Sequence, residues 1–325
     1  MSDPNIGLET NDLFSVKGRV IVITGGGTGL GRMMAEGFSI NGAKVYITGR
    51  REQVLNDTVK ELSQVASQKG TGGSIHAIQG DVSTKDGVTK IRDILREKET
   101  VVDVLINNAG AQKPWKNPIQ DHNDSDAVEK LVWEGVDDED WNETNATNIN
   151  GVYFMTAALV PLLRKSETKS VIIIGSVAAL ANQRPVSSLT YGVSKQVCEK
   201  SSHIERGRLA KLIKSKIALH LAEMLAGRLS PLKIRVNTIL PGAFPSDITS
   251  KIDENGHRVL HPPAEKAAKR SPLGRAGYKH EIVGPALLLA SQAGGFMDNA
   301  IITVDGGRLM NAGINDGIRM PEDTY

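Results

Sequence analysis

Residues 24–31 read Thr-Gly-Gly-Gly-Thr-Gly-Leu-Gly, and this stretch decides the fold. A run of apolar and β-branched residues, 19–24, leads into it, and a segment of helix length, 30–40, follows. Glycines at such a turn let the backbone bend tightly and approach a pyrophosphate, which then lies at the N-terminal end of the helix. A glycine-rich turn made only for packing is the alternative. The context favours a phosphate loop formed by Gly25, Gly27, Thr28, Gly29, Leu30 and Gly31.

Six more β-rich runs follow, each bounded by Gly, Asn, Asp or Pro. With the first run, they cover residues 19–24, 44–48, 74–79, 102–106, 170–174, 234–240 and 300–304. Most are nearly continuous in Val, Ile and Leu, as in strands buried on both faces of a parallel sheet. Segments of helix length at 30–40, 51–67 and 85–98 separate the first four runs. The alternation predicts an α/β fold: a single Rossmann-type, doubly wound domain with a seven-stranded parallel sheet, at 14–310 between terminal extensions 1–13 and 311–325.

The end of the second strand indicates which dinucleotide is preferred. An acidic side chain there would bind the ribose 2′-hydroxyl of NAD, whereas an arginine accommodates the 2′-phosphate of NADP. Here Gly49 leaves room, and Arg50 and Arg51 supply positive charge. Thr28 adds no second basic contact, and the two arginines could instead be solvated residues at the start of a helix. We predict NADP(H) rather than NAD(H) as the cofactor.

A candidate proton-transfer site follows the fifth strand. Tyr191 and Lys195 are four residues apart, so on a helix they share one face. An ammonium beside a phenol favours the phenolate, which predicts that Lys195 lowers the pKa of Tyr191 from about 10 towards neutrality. Ser176 follows a central strand, at the edge where doubly wound sheets bind their ligands, and can donate a hydrogen bond to a substrate oxygen. The structural alternatives are a core tyrosine and a strand-end cap.

Five motifs occur in a fixed order along the chain. They are the glycine stretch, Asp81-Val82 after the third strand, Asn-Asn-Ala-Gly at 107–110 after the fourth, Ser176 after the fifth, and Tyr-Gly-Val-Ser-Lys at 191–195. Together they resemble the short-chain dehydrogenase/reductase family over residues 14–307. The resemblance implies an oxidoreductase that transfers hydride between a nicotinamide cofactor and a carbonyl or alcohol substrate.

The resemblance also implies roles for individual residues. Tyr191 would protonate the carbonyl oxygen, Ser176 would polarise the carbonyl, and Lys195 would bind the nicotinamide ribose. Asn148 matches the asparagine that holds a water molecule in the proton relay, although Asn145 or Asn150 could confuse this match. The remaining cofactor positions implied are Asp81 and Val82 at the adenine, Asn108, Ala109 and Gly110 along the cofactor, and Pro241, Gly242 and Ser246 after the sixth strand.

Two local features refine this resemblance. Asn299 stands where the family often has glycine before the seventh strand, which puts only a local turn in doubt. Residues 174–178 and 241–246 resemble the ketoacyl reductase of rhamnolipid synthesis and its fungal relatives. That likeness implies a ketone with a chain or a ring, such as a 3-oxoacyl group or a secondary-metabolite ketone, reduced to a secondary alcohol.

Two segments do not follow the strand–helix alternation. Residues 112–140 are long and acidic and contain Pro114 and Pro118, which predicts either a solvated surface loop or a lid over a substrate cleft. The second is 197–215, because Pro241 follows Lys195 by 46 residues, a longer separation than the family has. This surplus could be a harmless helical extension or excursion, a partner-binding or substrate-gating insertion, or an intron retained in frame.

Composition restricts the remaining possibilities. The chain has 325 residues, 39 basic and 37 acidic, with no massed basic patch that would indicate nucleic-acid binding. One cysteine and no long apolar segment favour a cytoplasmic protein without a membrane anchor, and no metal site is predicted. Family resemblance implies a homodimer or homotetramer. Two other functional hypotheses remain: a non-catalytic dinucleotide-binding regulator, and a product inactivated by the insertion at 197–215.

Overall fold

The computed structural model describes residues 7–311 apart from 181–188, 196–217, 248, 253 and 255–257. Its strands, in chain order, are β1 Val20–Thr24, β2 Lys44–Gly49, β3 Ser74–Gln79, β4 Val104–Asn107, β5 Ser170–Ile174, β6 Arg235–Pro241, β7 Ser250–Ile252, β8 Arg258–Leu260 and β9 Ile301–Val304. Seven of them form one parallel sheet in the order β3-β2-β1-β4-β5-β6-β9, and β7 pairs with β8 in an antiparallel ribbon. The prediction of a doubly wound, seven-stranded parallel sheet is confirmed.

Helices cover both faces of this sheet. Their bounds are α1 Thr10–Leu13, α2 Gly29–Ile40, α3 Glu52–Lys69, α4 Lys85–Lys98, α5 Ser125–Glu134, α6 Asp138–Asn145, α7 Gly151–Leu163, α8 Leu189–Lys195, α9 Ala218–Leu229, α10 Pro262–Lys269, α11 Lys279–Ala290 and α12 Arg308–Asn311. A π-helical turn, Ala146–Asn150, joins α6 to α7. The expected insertion at 197–215 lies outside the described residues.

The core explains why the central strands are apolar on both faces. Val20 and Val22 of β1 point into one apolar cluster, while Ile21 and Ile23 point into the other. Buried side chains of α4, α7 and α9 complete the first cluster, and those of α2, α3 and α11 complete the second. A strand with helices on both sides cannot alternate between polar and apolar residues, so it reads as a continuous hydrophobic run.

The expectation of a loop at 112–140 is wrong in part, because this segment contains α5 and the start of α6. Asp124 accepts hydrogen bonds from the first backbone N–H groups of α5, and Asp137 forms a capping box with Asp140 at the start of α6. Acidic residues at these positions accept hydrogen bonds from the free N–H groups. Their negative charge also interacts favourably with the positive end of the helix dipole. The acidic composition that indicated a solvated loop therefore belongs to two helix N-termini.

Asn299 keeps the turn before β9 despite departing from the family pattern. Its φ is 56°, in the left-handed region that glycine would adopt most easily. Asparagine tolerates this conformation better than most residues because its short polar side chain can bond locally. The turn placed in doubt by the sequence is thus preserved.

One continuous helix, Asp138–Leu163, is long and apolar enough to cross a membrane by length and composition alone. In this fold it packs on the sheet, since Met155, Leu159 and Leu163 are almost completely buried in the core. A core helix of this kind passes the same length and composition test as a membrane span.

Candidate active site

The glycine loop after β1 has the form of a cradle for a dinucleotide. Gly25 has φ of +65°, and a Cβ added there would lie 2.9 Å from Ala109 Cα. A Cβ on Gly31 would lie 2.3 Å from Gly25 O and 2.5 Å from Asn108 Nδ2. Side chains at these positions would clash with the neighbouring backbone and with Asn108, and would force the loop away from β4. Glycines therefore let the loop pack closely at the N-terminus of α2, where a pyrophosphate would bind.

Asn108 fixes the distance between the ends of β1 and β4. Its Nδ2 donates to Thr24 O at 2.9 Å and to Gly25 O at 3.1 Å. In return, the backbone N–H groups of Asn108 and Ala109 both donate to Thr24 Oγ1 at 3.0 Å. The predicted Asn-Asn-Ala-Gly motif thus shapes the floor beside the glycine loop through side-chain and backbone bonds together.

A cleft of about 290 Å³ runs along this edge of the sheet, and we call it the glycine-loop cleft. Most residues predicted to contact the cofactor line it: Gly25, Gly27, Thr28, Gly29, Leu30, Arg50, Arg51, Asp81, Val82, Asn108, Ala109, Gly110, Tyr191, Lys195 and Ser246. Three predicted residues do not. Gly31 lies behind the loop, and Pro241 and Gly242 line the neighbouring cleft described below.

Tyr191 and Ser176 lie together at the end of β5. A hydrogen bond between the Ser176 and Tyr191 side chains lowers the pKa of the tyrosine, but burial has the larger effect and raises it. The expectation that Lys195 lowers this pKa is therefore wrong for the protein chain alone, because loss of solvation dominates. Ser176 Oγ also accepts from Ala178 N at 3.1 Å, so the predicted substrate contact is a strand-end cap as well.

Lys195 is buried directly below Gly110. Its Nζ donates to Ile174 O at 3.1 Å, and burial lowers its pKa to about 8. A Cβ built on Gly110 would lie 3.4 Å from this Nζ and 3.5 Å from Asn148 Oδ1. The lysine ammonium and the asparagine amide therefore face the same small space beside Gly110.

Asn148 ties three segments of the site together. Within the π-helical turn it is 1% exposed, with Oδ1 accepting from Ala111 N at 2.8 Å. Its Nδ2 donates to Ala111 O at 2.9 Å and to Ser194 Oγ at 2.8 Å, and Ser194 Oγ in turn donates to Tyr191 O at 2.9 Å. Such a turn inserts an extra residue into a helix and often occurs at functional sites. The network positions the backbone of Tyr191.

A second, larger cleft of about 980 Å³, the apolar cleft, opens beside Ser176 and Tyr191. Many of its lining residues are small or apolar and come from the end of β6, the segment after it, α10 and the segment between α10 and α11: Pro241, Gly242, Ala243, Phe244, Pro262, Pro263, Ala264, Ala267, Ala268 and Leu273. Arg275 also lines it but is bound to Glu281 through two hydrogen bonds of 2.8 and 2.7 Å. Leu30, Gly175, Tyr191, Ser246 and Asp247 line both clefts, so the clefts meet at Tyr191.

This combination of a doubly wound sheet, a glycine loop and a tyrosine–lysine pair at the junction of two clefts defines a dinucleotide-dependent oxidoreductase. Residues 19–203 match the short chain dehydrogenase family, and residues 209–308 match a second profile described as enoyl-(acyl carrier protein) reductase. The chain therefore belongs to the short-chain dehydrogenase/reductase family. It is an enzyme acting on CH–OH or C=O groups, as the sequence predicted.

Several relatives match nearly the full length of the chain. A short-chain dehydrogenase/reductase of Diaporthe leptostromiformis is 31% identical over 92% of this chain and 94% of its own. The rhamnolipid-biosynthesis 3-oxoacyl-[acyl-carrier-protein] reductase of Pseudomonas aeruginosa is 32% identical over 90% and 97%. The solved active-site complex of Pseudomonas aeruginosa RhlG with NADP shares 31% identity at a TM-score of 0.67, covering 91% of this chain and 98% of that one.

Sequence reasoning missed several residues that line the glycine-loop cleft: Thr48, Val54, Leu55, Gly80, Ala111, Thr147, Ile174, Gly175 and Asp247. Most could have been found, because they adjoin predicted residues at strand ends or lie in the first turn of α3. Asp247 also adjoins a predicted residue, Ser246, but that residue does not lie at a strand end. The position of Asp247 in the cleft depends on the path of the chain after β6, which the local sequence does not reveal.

Proposed function

We propose that this enzyme interconverts a ketone and a secondary alcohol, with NADP(H) as the cofactor and hydride as the transferred group. One observation carries the proposal: Tyr191 and Ser176 lie where the glycine-loop cleft and the apolar cleft meet. A carbonyl in the apolar cleft would there face both a proton donor and the open end of the dinucleotide cleft. A regulator without catalysis would not need a half-buried hydroxyl pair at this point.

The chemistry divides between the cofactor and the chain. The nicotinamide, when bound, supplies the hydride that reaches the carbonyl carbon in reduction. Tyr191 then gives its phenolic proton to the carbonyl oxygen, and its raised pKa keeps the phenol protonated at neutral pH. Ser176 donates a hydrogen bond to the same oxygen. In the alcohol-to-ketone direction, Tyr191 takes the proton back.

Lys195 and Asn148 assist this proton transfer, the first through its charge and the second by positioning its neighbours. At neutral pH most of Lys195 is still protonated, because its pKa of about 8 lies above the ambient value. Its ammonium, facing the space at Gly110, would bind the nicotinamide ribose and attract negative charge that develops on Tyr191. Asn148 holds Ala111 and, through Ser194, the backbone of Tyr191 in place. A water molecule at Asn148 would complete the proton relay.

The preference for NADP(H) rests on charge at the end of β2. Arg50 and Arg51 line the glycine-loop cleft where a 2′-phosphate would lie, and β2 ends in Gly49 rather than in an acidic residue. The NADP complex of the Pseudomonas RhlG protein supports the same choice. The adenine would lie against Asp81 and Val82, which follow the neighbouring strand β3.

The apolar cleft indicates the substrate class. Its volume and small-residue wall suit a ketone that carries a long chain or several rings rather than a small polar sugar. The rhamnolipid 3-oxoacyl reductase supports a 3-oxoacyl group, and the fungal relative leaves a secondary-metabolite ketone open. We further propose, from the family, a cytoplasmic homodimer or homotetramer that binds no nucleic acid.

The substitution Tyr191→Phe tests this function. Removing only the hydroxyl should lower ketone reduction by about 10²–10⁴-fold, because general acid catalysis is lost while the ring still fills its space. The dissociation constant of NADPH, measured by fluorescence, should change by no more than about twofold. This is well below a tenfold change, which corresponds to about 1.4 kcal/mol. Tyr153→Phe is the control, since Tyr153 is 47% exposed on α7 and lines neither cleft. Wild-type turnover in Tyr191→Phe would contradict the proposal.

A further inference from the structure

An ion pair links two sides of the glycine-loop cleft that come from distant parts of the chain. Arg51 follows β2 and Asp247 follows β6, and both side chains line the cleft. Arg51 Nη2 lies 3.4 Å from Asp247 Oδ2, with the two side chains 66% and 40% exposed. Nothing in the local sequence requires this contact, because 196 residues separate the partners.

The ion pair lies close to the glycine loop. Ser246, the residue before Asp247, has its Cβ 3.1 Å from the position that a Cβ on Gly29 would take, and Asp247 N lies 4.0 Å from that position. Asp247 thus adjoins the turn where the pyrophosphate would lie, and its carboxylate reaches across to the arginine. A negative charge at this point acts directly on the residue expected to meet the cofactor's extra phosphate.

Arg51 then has two possible anionic partners. A guanidinium pairs most strongly when its planar donors face one carboxylate or one phosphate, so a bond to Asp247 draws those donors away from the 2′-phosphate. NADH has no such phosphate and is unaffected by this competition. Arg50, by contrast, has no ion-pair partner among the residues that the structure describes.

We propose that Asp247 is a specificity-determining residue, which holds Arg51 and thereby weakens the preference for NADP(H) over NAD(H). This inference rests on the proposed function, because it needs a nicotinamide dinucleotide in the glycine-loop cleft. The enzyme as it stands would accept both cofactors more evenly than its two arginines alone would indicate. Asp247 acts on the cofactor through Arg51 and is a positioning residue, not a catalytic one.

The test measures dissociation constants of NADPH and NADH by fluorescence at low salt for the full chain. Asp247→Asn should raise the NADPH-over-NADH preference by about two- to fivefold, the range expected for one exposed ion pair. The gain should shrink at high salt, because screening weakens exposed charges. Glu134→Gln is the control: it removes one carboxylate from an exposed pair with Lys130 on α5, away from both clefts.

A double-mutant cycle shows whether the effect passes through Arg51. In an Arg51→Gln background, Asp247→Asn should change the preference by less than half as much as in the wild type. An unchanged preference in Asp247→Asn, or a full effect without Arg51, would overturn the inference. Failure of the wild type to bind either dinucleotide would instead contradict the proposed function, so the two failures are distinguishable.

Discussion

Lys195 combines burial with a role that requires positive charge. It is 6% exposed, its Nζ donates to Ile174 O, and burial lowers its pKa to about 8. A basic group whose folded-state pKa lies below its unfolded value destabilises the fold while it is charged in both states. The destabilisation is fully present below pH 8 and declines between about 8 and the ordinary value of 10.5, where only the unfolded chain retains the proton.

The substitution Lys195→Met should therefore stabilise the protein while abolishing activity. Methionine retains the apolar stem without the charge, so we expect an increase of about 1–3 kcal/mol in the free energy of unfolding at pH 7. Urea titrations at pH 7, 8, 9 and 10 give the difference between variant and wild type. That difference should decrease above pH 8. A variant less stable than the wild type at pH 7, or a difference independent of pH, would show that burial of the charge is not what lowers the pKa.

For single residues, the sequence predicted which side chains line the site better than it predicted their burial and pKa. The four-residue spacing of Tyr191 and Lys195 indicated their common face, and both line the glycine-loop cleft. The direction of the Tyr191 pKa was wrong, because the extent of burial depends on packing from β5 and its neighbours. Spacing within a helix reports proximity, whereas desolvation depends on the whole fold.

Among the elements, the glycine loop and the first turn of α2 allow the sharpest prediction. Gly31→Ala would place a Cβ against Gly25 O, a backbone atom that cannot move without displacing the loop. We expect at least a tenfold loss of NADPH affinity, together with about 1–3 kcal/mol of destabilisation from overpacking. Fluorescence titration and thermal unfolding measure the two effects.

Gly227→Ala supplies the control for that substitution. Gly227 lies in α9, is exposed, and a Cβ added there would meet no atom within 4 Å. Alanine in an exposed helix interior should stabilise by about 0.5–1 kcal/mol and leave cofactor affinity unchanged. Equal losses in both variants would mean that glycine flexibility in general, rather than the contact at Gly31, determines affinity.

The elements differ in how well sequence predicted them. β3, β5 and α4 have the predicted bounds, because buried strands and an amphipathic helix carry strong periodic signals. The ribbon of β7 and β8 was not predicted, since strands of three residues show no period. The helix α5 was missed because its acidic N-terminus resembles solvated loop sequence. Local composition does not distinguish a capping carboxylate from a surface one.

At the scale of the whole molecule, topology places distant residues at one sheet edge. The carboxyl ends of β1, β4, β5 and β6 meet there, and they bring Gly25, Asn108, Ser176 and Pro241 together across more than half of the chain. Ligands bind at this edge in doubly wound sheets. The sequence thus predicted the glycine-loop cleft, while the shape of the apolar cleft depends on α10 and the chain after β6, whose packing had no local signature.

The residues described on either side of 197–215 keep the predicted site residues together. Lys195, the last residue of α8, still reaches Ile174 O, and α9 resumes at Ala218. This arrangement supports the enzyme proposal over a product inactivated by residues 197–215. Whether those residues are an intron retained in frame is decided by transcript reads, and reads without any splice across the segment would contradict that hypothesis.

The most direct test of the account follows the hydride itself. NADPH carrying deuterium at the transferred C4 position is mixed with the full chain and a bulky apolar ketone or a 3-oxoacyl thioester, and the alcohol product is analysed by mass spectrometry. Hydride transfer at the junction of the two clefts predicts one deuterium at the carbinol carbon, formed in step with NADPH oxidation and lost in Tyr191→Phe. Tight binding of NADPH with no deuterium transferred to either substrate class, and no oxidation of the corresponding alcohols with NADP⁺, would contradict the account and favour a dinucleotide-binding regulator.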